Sequence, residues 1–446
     1  MDYNFLKIEK PKAIAGTYKW LKRDFIIPPS VEKTVSKILK EVKICGDKAV
    51  IKFCKKFDGI NIKKVDELKV KDEEIKRSHE LVVKTYPRLV EALDVSCRNI
   101  RLYHSMQLKR EAGSWLEEPV KGKKIGQILT PVERVGAYIP GGRYIYPSSV
   151  LMTIIPAVVA GVKEIAICTP PGKDGNVHEV LLYLCSKLGV SEVYRIGGAQ
   201  AIAAMAYGTD SIKKVDKIVG PGNIYVAAAK KAVFGTVGID SLAGPSEVMI
   251  LAGCSAKPDF IAADLISQAE HDPDAKSILL TTSEDIAKKV IDEIYKQVDS
   301  LAGICGSSEN VKVILRSLAK NCKIVYSKDK NLIIRICNMA APEHLEIMME
   351  DADDVLKDIK NAGAIFVGDY TPVAVGDYIG GTNHVIPTSG CARFSSSLGV
   401  YDFCKRSSII SYDREMLKDE SKYVEILSSF ENLIAHKNSI KARFKK

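Results

Sequence analysis

Residues 193–234 read VYRIGGAQAIAAMAYGTDSIKKVDKIVGPGNIYVAAAKKAVF and contain one local pattern twice. A short strand-like run, at 193–196 and again at 217–219, leads through glycines into an alanine-rich helical segment, at 199–207 and again at 225–234. A strand followed by a helix, repeated along the chain, is typical of parallel βα units. The stretch therefore predicts an α/β fold built on a parallel sheet.

The same alternation extends upstream to about residue 135. Strands are predicted at 135–139 and 165–168, and helices at 150–162 and 178–188. Together with the elements of 193–234, they form one complete doubly wound domain.

A second series of strands and helices follows downstream. It comprises strands at 248–251, 278–281, 323–326 and 364–367, and helices at 259–270, 286–298 and 340–349. The helical segments between residues 31 and 107 have no obvious sheet of their own, so we expect them to complete this second domain. After about residue 394 the pattern becomes polar and helical.

These patterns predict two Rossmann-like, doubly wound parallel-sheet domains, one inserted in the other. The predicted division is an N-terminal arm (1–30), a discontinuous α/β domain (31–134 and 247–394), an inserted α/β domain (135–246) and a C-terminal tail (395–446).

The composition is that of an ordinary globular enzyme. The 446 residues are 46% hydrophobic, 27% charged and 7% aromatic, which excludes a disordered, collagen-like or small disulfide-rich protein. The net charge of +10 is interrupted by acidic runs, so no basic stripe of the nucleic-acid-binding type is present. The positive excess can still favour an anionic cofactor or substrate.

Neither a membrane span nor a secretory signal is predicted. The longest apolar run, 150–162, contains Pro156 and is shorter than the roughly 20 residues that a membrane helix needs. The N-terminal MDYNFLKIEK has no apolar core after a basic start, so we expect a cytoplasmic protein. Eleven scattered cysteines, none in a CxxC pair, indicate reduced thiols.

Two possible metal ligands occur at helical spacing in SQAEHDP. Gln268 and His271 are three residues apart, so both project from one face of a helix, as two ligands of one metal ion must. Gln is an uncommon ligand, and a helix C-terminal cap by His271 before Pro273 is an equally good interpretation.

The glycine-rich segment GDYIGGTNH carries Asp377 and His384. It is either a series of tight turns or a backbone shaped around a ligand, and Asp377 can supply a hard oxygen to the same metal. One imidazole, one carboxylate and one amide leave a zinc-like site one ligand short. His436 in AHKNS is a candidate for that ligand, although a tail histidine without a role is the simpler interpretation.

The motif APEH places Glu343 beside His344, just after Pro342, where we expect a helix to begin. An adjacent carboxylate and imidazole on a first helical turn are suited to general acid and base chemistry near neutral pH. The alternative is N-terminal capping by Glu343 with an idle His344.

Three glycine-bearing loops follow predicted strands of the inserted domain: YIPGGR, GGAQ and GPGN. Each can bring backbone N–H groups to a phosphate or ribose at a helix N-terminus. None is GxGxxG, but three such loops on one domain indicate a nucleotide.

Together, these motifs resemble those of the histidinol dehydrogenase family. They are YIPGG, GGAQAIAA, VGPGN, LAGPSEV, SQAEHDP, APEHLE, GDYIGGTNHVIPT and AHKNS, in the family's order over about residues 138–439. The resemblance implies oxidation of L-histidinol to L-histidine through the aldehyde with two NAD, the last step of histidine biosynthesis. It also implies one zinc per subunit and a homodimer whose C-terminal tails cross to complete shared active sites.

The resemblance also implies site residues. It makes His344 the general base and Glu343 the group that activates water. The implied zinc ligands are Gln268, His271, Asp377 and, from the neighbouring subunit, His436. Ser246 and Glu431 join these ligands and His344 around the substrate. Tyr138, Gln200 and Asn223, one from each glycine-bearing loop, take the NAD-contacting positions, and His384 receives no catalytic role.

Two other functions stay open at this point. The same fold, NAD and zinc can serve another small polar alcohol such as a sulfonated diol, and a non-catalytic zinc-binding or nucleotide-binding protein can retain the scaffold. The intact set of Gln268, Glu343, His344 and Asp377 argues against the non-catalytic alternative.

Overall fold

The structure, a computed structural model, describes residues 5–11, 26–111, 113–141, 145–242, 244–306 and 308–445. Over these residues the strands form one six-stranded, one five-stranded and one three-stranded sheet. The larger two are parallel throughout, as the sequence predicts.

The first part of the chain is mostly helical. Among its described residues are a short strand, four α-helices and two further strands: β1 (Ile8–Glu9), α1 (Pro29–Cys45), α2 (Asp47–Phe53), α3 (Asp72–Thr85), α4 (Pro87–Glu111), β2 (Trp115–Val120) and β3 (Lys123–Pro131).

Strands and helices then alternate to form the five-stranded sheet. They are β4 (Arg134–Tyr138), α5 (Pro147–Ala160), β5 (Glu164–Thr169), α6 (Glu179–Leu188), β6 (Glu192–Arg195), α7 (Gly198–Tyr207), β7 (Lys217–Val219), α8 (Ile224–Val233) and β8 (Gly238–Ile239). The sheet order is β6-β5-β4-β7-β8. Each strand and helix predicted between residues 135 and 234 is present, with ends shifted by a few residues.

The N-terminal helices pack on this five-stranded unit. Helix α1 contacts α7 and α8, α3 contacts α6, and α4 contacts α5. We expected these N-terminal helices to pack with the second domain, whereas they pack on the five-stranded unit. The reason is that α5 to α8 are apolar on more than one side. In α5, for example, ten residues including Met152 are buried, so a further helical layer must cover the helices that flank the sheet. The predicted domain boundaries themselves stay a prediction.

The second alternating series forms the six-stranded sheet. Its elements are β9 (Glu247–Ala252), α9 (Pro258–Ala269), β10 (Lys276–Thr281), α10 (Glu284–Cys305), α11 (Glu309–Asn321), β11 (Lys323–Tyr326), α12 (Lys330–Ala340), β12 (His344–Met348), α13 (Ala352–Asp358), β13 (Ala364–Val367) and α14 (Val373–Tyr378). The sheet order is β1-β11-β10-β9-β12-β13, so the short N-terminal strand closes one edge.

The prediction of a helix at 340–349 is wrong, and APEH does not begin a helix. Helix α12 ends at Ala340, and Ala341 adopts the left-handed conformation with φ 47°. Because Pro342 disfavours helical geometry at the residue before it, the proline marks the end of the preceding helix. The chain then enters β12 at His344, in the interior of the sheet.

The C-terminal segment holds a strand as well as helices. After α14 the chain forms β14 (Cys404–Tyr412), α15 (Arg414–Phe430) and α16 (Ile434–Ala442). Strand β14 pairs antiparallel with β3, and β3 with β2. The prediction of a purely helical tail missed this sheet because its side chains are largely exposed on both faces, so its strands lack the apolar alternation that identifies a strand.

In the described part of the chain, no helix combines the length and the apolar character of a membrane span. The cysteines whose side chains are described are free, and several are buried. Burial raises the pKa of the Cys185 and Cys322 thiols to about 12, so both are protonated at neutral pH.

Candidate active site

The candidate catalytic residues lie at the amino edge of the six-stranded sheet. Glu247 begins β9, His344 begins β12, and the two strands are neighbours with His344 opposite Val248. Helix α9 ends at Ala269, and Gln268 stands in its last turn. Ligands of open α/β sheets usually bind at the opposite, carboxyl edge, so this site uses the less common edge.

Glu343 is buried and held by two donors. Its Oε2 atom accepts hydrogen bonds from the Ser246 hydroxyl at 2.6 Å and from the Glu247 N–H at 2.8 Å. Burial raises the pKa of Glu343 to about 7, against the lowering effects of His344 and of these two donors. Near neutral pH this carboxyl group is therefore present in both protonation states.

The imidazole of His344 has one fixed nitrogen and one free nitrogen. Its Nδ1 lies 3.0 Å from the carbonyl oxygen of Glu247. Since a carbonyl only accepts, Nδ1 carries the hydrogen and Nε2 has none in the neutral ring. Nε2 is buried and has no hydrogen-bond partner among the described residues. The ring thus presents an acceptor nitrogen, and Glu343 Oε2 lies 3.7 Å from Nδ1.

A second cluster of polar side chains adjoins His344. The imidazole of His384 interacts electrostatically with Asp377, His344 and His271, which brings residues from α14, β12 and the end of α9 together. Burial lowers the pKa of His384, so the ring is held neutral. The sequence singled out His384, and the structure places it within electrostatic range of Asp377, His344 and His271.

The groups that could hold a zinc ion come only partly from the His, Cys, Asp and Glu residues that zinc prefers. Within the described ranges, no three His, Cys, Asp or Glu side chains are grouped to hold a metal ion. A site made of His271, Asp377, the Gln268 amide and a side chain from a second chain would contain only two such groups from this chain.

Gln268 fits a metal site. It is 3% exposed, and its amide nitrogen is buried without a hydrogen-bond partner among the described residues. Because the amide nitrogen and oxygen exchange places by a half turn, the same position can present an oxygen to a cation. An orphaned buried amide is costly unless a ligand satisfies it.

The loops GGAQ and GPGN and residues 138–141 of YIPGGR lie at the carboxyl edge of the five-stranded sheet, whereas residues 142 and 143 are outside the described residues. The Tyr138 hydroxyl accepts the Gly198 N–H at 3.1 Å, and Tyr138 is buried. Gln200 is also buried. Asn223 caps α8 through its side-chain oxygen and is exposed. Of the three predicted NAD-contacting residues, only Asn223 is therefore open to solvent in this chain.

Asp58 is a residue of this region that the sequence did not reveal. Its Oδ2 accepts the Gly197 N–H at 3.3 Å and the Gln200 Nε2 donor at 3.2 Å. The Asp58 carboxylate therefore already accepts a backbone N–H at the amino end of α7, where a cofactor phosphate often binds in such domains. Asp58 stands in KKFDG, which resembles any charged surface segment, so no local signal marks it.

Hydrogen bonds from the segment around Asn383 connect the two parallel sheets. The Asn383 amide donates to the Met152 carbonyl in α5 at 2.7 Å. His384 is hydrogen bonded to the backbone of Ser148, in the first turn of the same helix. Because α5 starts just after β4, the segment around 383–384 joins the carboxyl edge of the five-stranded sheet to the amino edge of the six-stranded sheet.

The tail residues belong to a different surface. Glu431 and His436 are both exposed, and α16 has no buried residue. The hydrogen bonds of α16 stay within the tail, for example from the Lys437 ammonium to the Ser429 hydroxyl at 3.0 Å. Within this chain, His436 therefore lies on the exposed surface of α16 and is not part of a buried site.

Comparisons with known proteins agree on one family. The family model described as "Histidinol dehydrogenase" matches residues 22–444. The chain is 47% identical over 412 residues to histidinol dehydrogenase of Bacillus licheniformis, covering 92% of this chain and 93% of the relative. It is 46% identical over 413 residues to that of Clostridium acetobutylicum, covering 93% and 92%. The chain belongs to the histidinol dehydrogenase family. The crystal structure of histidinol dehydrogenase from Elizabethkingia anophelis aligns with a TM-score of 0.90 at 32% identity, over 99% of this chain and 98% of that one.

As a histidinol dehydrogenase, the protein is an oxidoreductase that acts on histidinol in histidine biosynthesis. The histidinol dehydrogenase motifs of the sequence thus identified the family correctly. The roles of the individual residues stay predictions.

Gly376→Ala tests how α14 is positioned in this histidinol dehydrogenase. A Cβ at Gly376 would lie 2.5 Å from Cε1 of Phe366, whose ring centroid is 6.0 Å from that of His344. We expect α14 and Asp377 to shift, with a loss of about 1–3 kcal/mol in the free energy of unfolding and a fall of at least about tenfold in kcat/KM. Thermal unfolding and steady-state kinetics measure both.

The control for this prediction is Gly303→Ala in α10, where a Cβ meets nothing within 4 Å. We expect Gly303→Ala to leave kcat/KM unchanged. Wild-type kinetics in Gly376→Ala would show that the Phe366 contact does not position the site.

Proposed function

We propose that this histidinol dehydrogenase performs a four-electron oxidation of L-histidinol to L-histidine through the aldehyde, using two NAD, one zinc per subunit and an active site shared in a homodimer. A cytoplasmic location is part of the same proposal. The observation that supports it most is the fixed tautomer of His344 beside a carboxyl group whose pKa is about 7.

The first oxidation needs a base for the hydroxyl proton. In the proposed reaction, His344 takes that proton on Nε2 while the carbinol carbon gives up a hydride to NAD. The Glu247 carbonyl keeps the other nitrogen protonated, which holds the ring in one orientation and stabilises the imidazolium that forms.

The second oxidation needs water as a nucleophile. In the proposed reaction, Glu343 in its ionised form takes a proton from the water that attacks the aldehyde, and the protonated His344 returns its proton to the aldehyde oxygen. The neutral hydrate results, and His344 is again neutral. Ser246 and the Glu247 N–H hold the carboxylate in place. His344 then takes the hydroxyl proton of the hydrate as the second hydride leaves.

Gln268, His271 and Asp377, with His436 of the partner subunit, would hold the zinc. When bound, zinc supplies a positive charge without redox chemistry that can orient the amine and imidazole of the substrate. Ser246, Glu431 and His344 complete the proposed substrate contacts. The buried orphaned amide of Gln268 supports this assignment.

The cofactor is proposed to approach from the carboxyl edge of the five-stranded sheet, near Tyr138, Gln200 and Asn223. The exposure of Asn223 supports a direct contact at this residue. Because Tyr138 and Gln200 are buried, we propose that their part is to shape the loops around Gly197 and Gly198. The segment around His384 leads from this edge to His344.

The exposed apolar side chains of α15 and α16 support a homodimer. Ile426, Leu427, Phe430 and Ile434 are all more than half exposed, and Phe430 reaches 87%. Several exposed apolar side chains within one short segment are typical of an interaction site. In the proposal, these helices lie on the partner subunit and bring Glu431 and His436 to its site.

The substrate and cofactors are tested by NADH formation with L-histidinol, with sulfonated diols as competitors for the same site. We expect activity with histidinol, loss of activity after chelation and recovery with zinc alone. Absence of NADH formation with histidinol would contradict the proposal, and full activity after verified removal of the metal would exclude a zinc requirement.

Mixing inactive variants tests the shared site. In a dimer of one His436→Ala chain and one His344→Asn chain, one site keeps its own His344 and receives an intact His436. Random exchange gives about half mixed dimers, so we expect about a quarter of the wild-type activity to return. Refolding the mixed chains and assaying histidinol oxidation measures it.

The matched control pairs His344→Asn with Glu343→Gln, two changes in the same half of the site. In this mixture no site is complete, so we expect no recovery of the full reaction. If the first mixture also stays inactive, His436 is not supplied by the partner.

A further inference from the structure

Two carboxyl groups, one on β12 and one on α9, interact with each other. Glu346 lies in β12 and is 1% exposed, and Asp264 lies in α9 and is half-buried. Their side chains are hydrogen bonded to each other. The Oε1 atom of Glu346 also accepts the Val373 N–H at 2.9 Å, at the first residue of α14. The same carboxyl group therefore touches two helices.

The contact between the two carboxyl groups requires a proton. Two carboxylates have only acceptor oxygens, so they can be hydrogen bonded only if one oxygen carries hydrogen. Oε2 of Glu346 is buried and meets no other partner among the described residues. Since Oε1 is already engaged by Val373, Oε2 is the atom placed to donate to Asp264.

The electrostatics of the pair agree with this assignment. Burial raises the pKa of Glu346 well above its usual value, and the neighbouring Asp264 raises it further. Burial also raises the pKa of Asp264, to about 6. Glu346, the more buried of the two, therefore holds the proton while Asp264 is ionised near neutral pH.

The pair and its partner Val373 lie on the same elements as the candidate site residues. Asp264 is one helical turn before Gln268, so the two share a face of α9, and His271 follows just after the end of that helix. Glu346 is two residues after His344, on the same face of β12. Val373 is one turn before Asp377 in α14.

We propose that Asp264 and Glu346 share one proton and act as a positioning pair that fixes α9 against α14, and thereby sets the separation of the zinc ligands Gln268 and His271 from Asp377. The proposal rests on the zinc site proposed above. It assigns no chemical step to either carboxyl group, because neither touches the reacting atoms.

Two variants of Glu346 test the pair. Glu346→Gln keeps an acceptor for Val373 and provides an N–H donor for Asp264, so we expect zinc affinity within about threefold of the wild type. Glu346→Met has similar size but neither group, and removing such a supporting hydrogen bond typically weakens metal binding by about 10–100-fold. Competition for zinc with a chromogenic chelator measures the affinity, and the absorption spectrum of the cobalt-substituted protein reports the ligand geometry.

A second pair of variants guards against misfolding of Glu346→Met. Asp264 is half-buried, so Asp264→Ala removes the contact at less cost to the core, and Asp264→Asn keeps an acceptor for the Glu346 proton. We expect Asp264→Ala to lose zinc affinity about 10–100-fold and Asp264→Asn to restore most of it. Thermal unfolding of each metal-free variant separates a global loss of stability from a local loss of positioning.

The outcomes are distinguishable. If the wild type binds no zinc, the proposed zinc site and this inference both fall. If the wild type binds zinc and both Glu346→Met and folded Asp264→Ala bind it equally well, the positioning role is overturned. If Glu346→Gln binds zinc as weakly as Glu346→Met, the shared proton is overturned.

Discussion

His344→Asn is expected to lower kcat for histidinol oxidation by about 10²–10⁴-fold, the usual contribution of a positioned general base. The asparagine amide can still donate to the Glu247 carbonyl, as Nδ1 of the imidazole does at 3.0 Å. It offers no basic nitrogen in place of Nε2. The binding surface is thus largely kept while proton removal is lost, so KM should change much less than kcat.

Steady-state kinetics at several pH values, with metal content measured in parallel, check this expectation. The matched control is His178→Asn. His178 caps α6 through its side chain, and asparagine is a good residue at this position. The control should leave kcat and zinc content unchanged. A His344→Asn enzyme with wild-type kcat would mean that another group takes the hydroxyl proton.

Glu343→Gln is expected to separate the two oxidations. The glutamine oxygen can still accept from Ser246 and Glu247, so the local structure is kept. Without a carboxylate to take a proton from water, oxidation of the aldehyde should fall by about 10²–10⁴-fold while the first oxidation continues. Single-turnover assays with histidinol and with the aldehyde measure the two steps separately. Equal effects on both would assign Glu343 a general binding role.

The same substitution changes how stability depends on pH. The pKa of Glu343 is about 7 in the folded chain against an ordinary 4.5. Its neutral form stabilises the fold fully below pH 4.5, and this contribution is lost as the pH rises through about 7. From the shift in pKa, Glu343→Gln should raise the free energy of unfolding at pH 8 by up to about 3 kcal/mol.

Denaturant unfolding of the chelator-treated protein at pH 5 and pH 8 checks this difference. Glu80→Gln, at an exposed position of α3, is the control and should leave the pH dependence as in the wild type. A Glu343→Gln variant with no gain at pH 8 would show that the carboxyl group is ionised without cost in the folded chain.

The sequence predicted the two parallel sheets because their strands are buried on both faces and read as short apolar runs between helices. The antiparallel sheet of β2, β3 and β14 gave no such signal. Its strands are mostly exposed, and β14 pairs with a segment that lies far upstream, such as Ser407 with Ile128. Pairing over that distance depends on tertiary structure rather than on local pattern.

The candidate site was predictable at the level of residues but not of geometry. Glu343 and His344 were found by their neighbourhood in APEH, yet the element they begin is a strand and not a helix. Glu247, whose backbone carbonyl holds the His344 ring, was not found. Every residue has a backbone carbonyl, so the sequence does not show which carbonyl accepts a hydrogen bond from a histidine. Asp264 and Glu346 were missed because their contact joins residues far apart in the chain and depends on the tertiary fold.

The attachment of the segment around Asn383 to α5 limits how the molecule can move. Asn383 and His384 are bonded to α5, while Ser96 and Asn99 of α4 donate to the carbonyls of Tyr378 and Ile379 at 2.6 Å and 2.7 Å. A hinge motion that separates the two parallel sheets would break several of these hydrogen bonds at once. Substrate exchange is therefore expected to depend on the displacement of short segments around the site. The two parallel sheets and their helices are expected to move together as one rigid body.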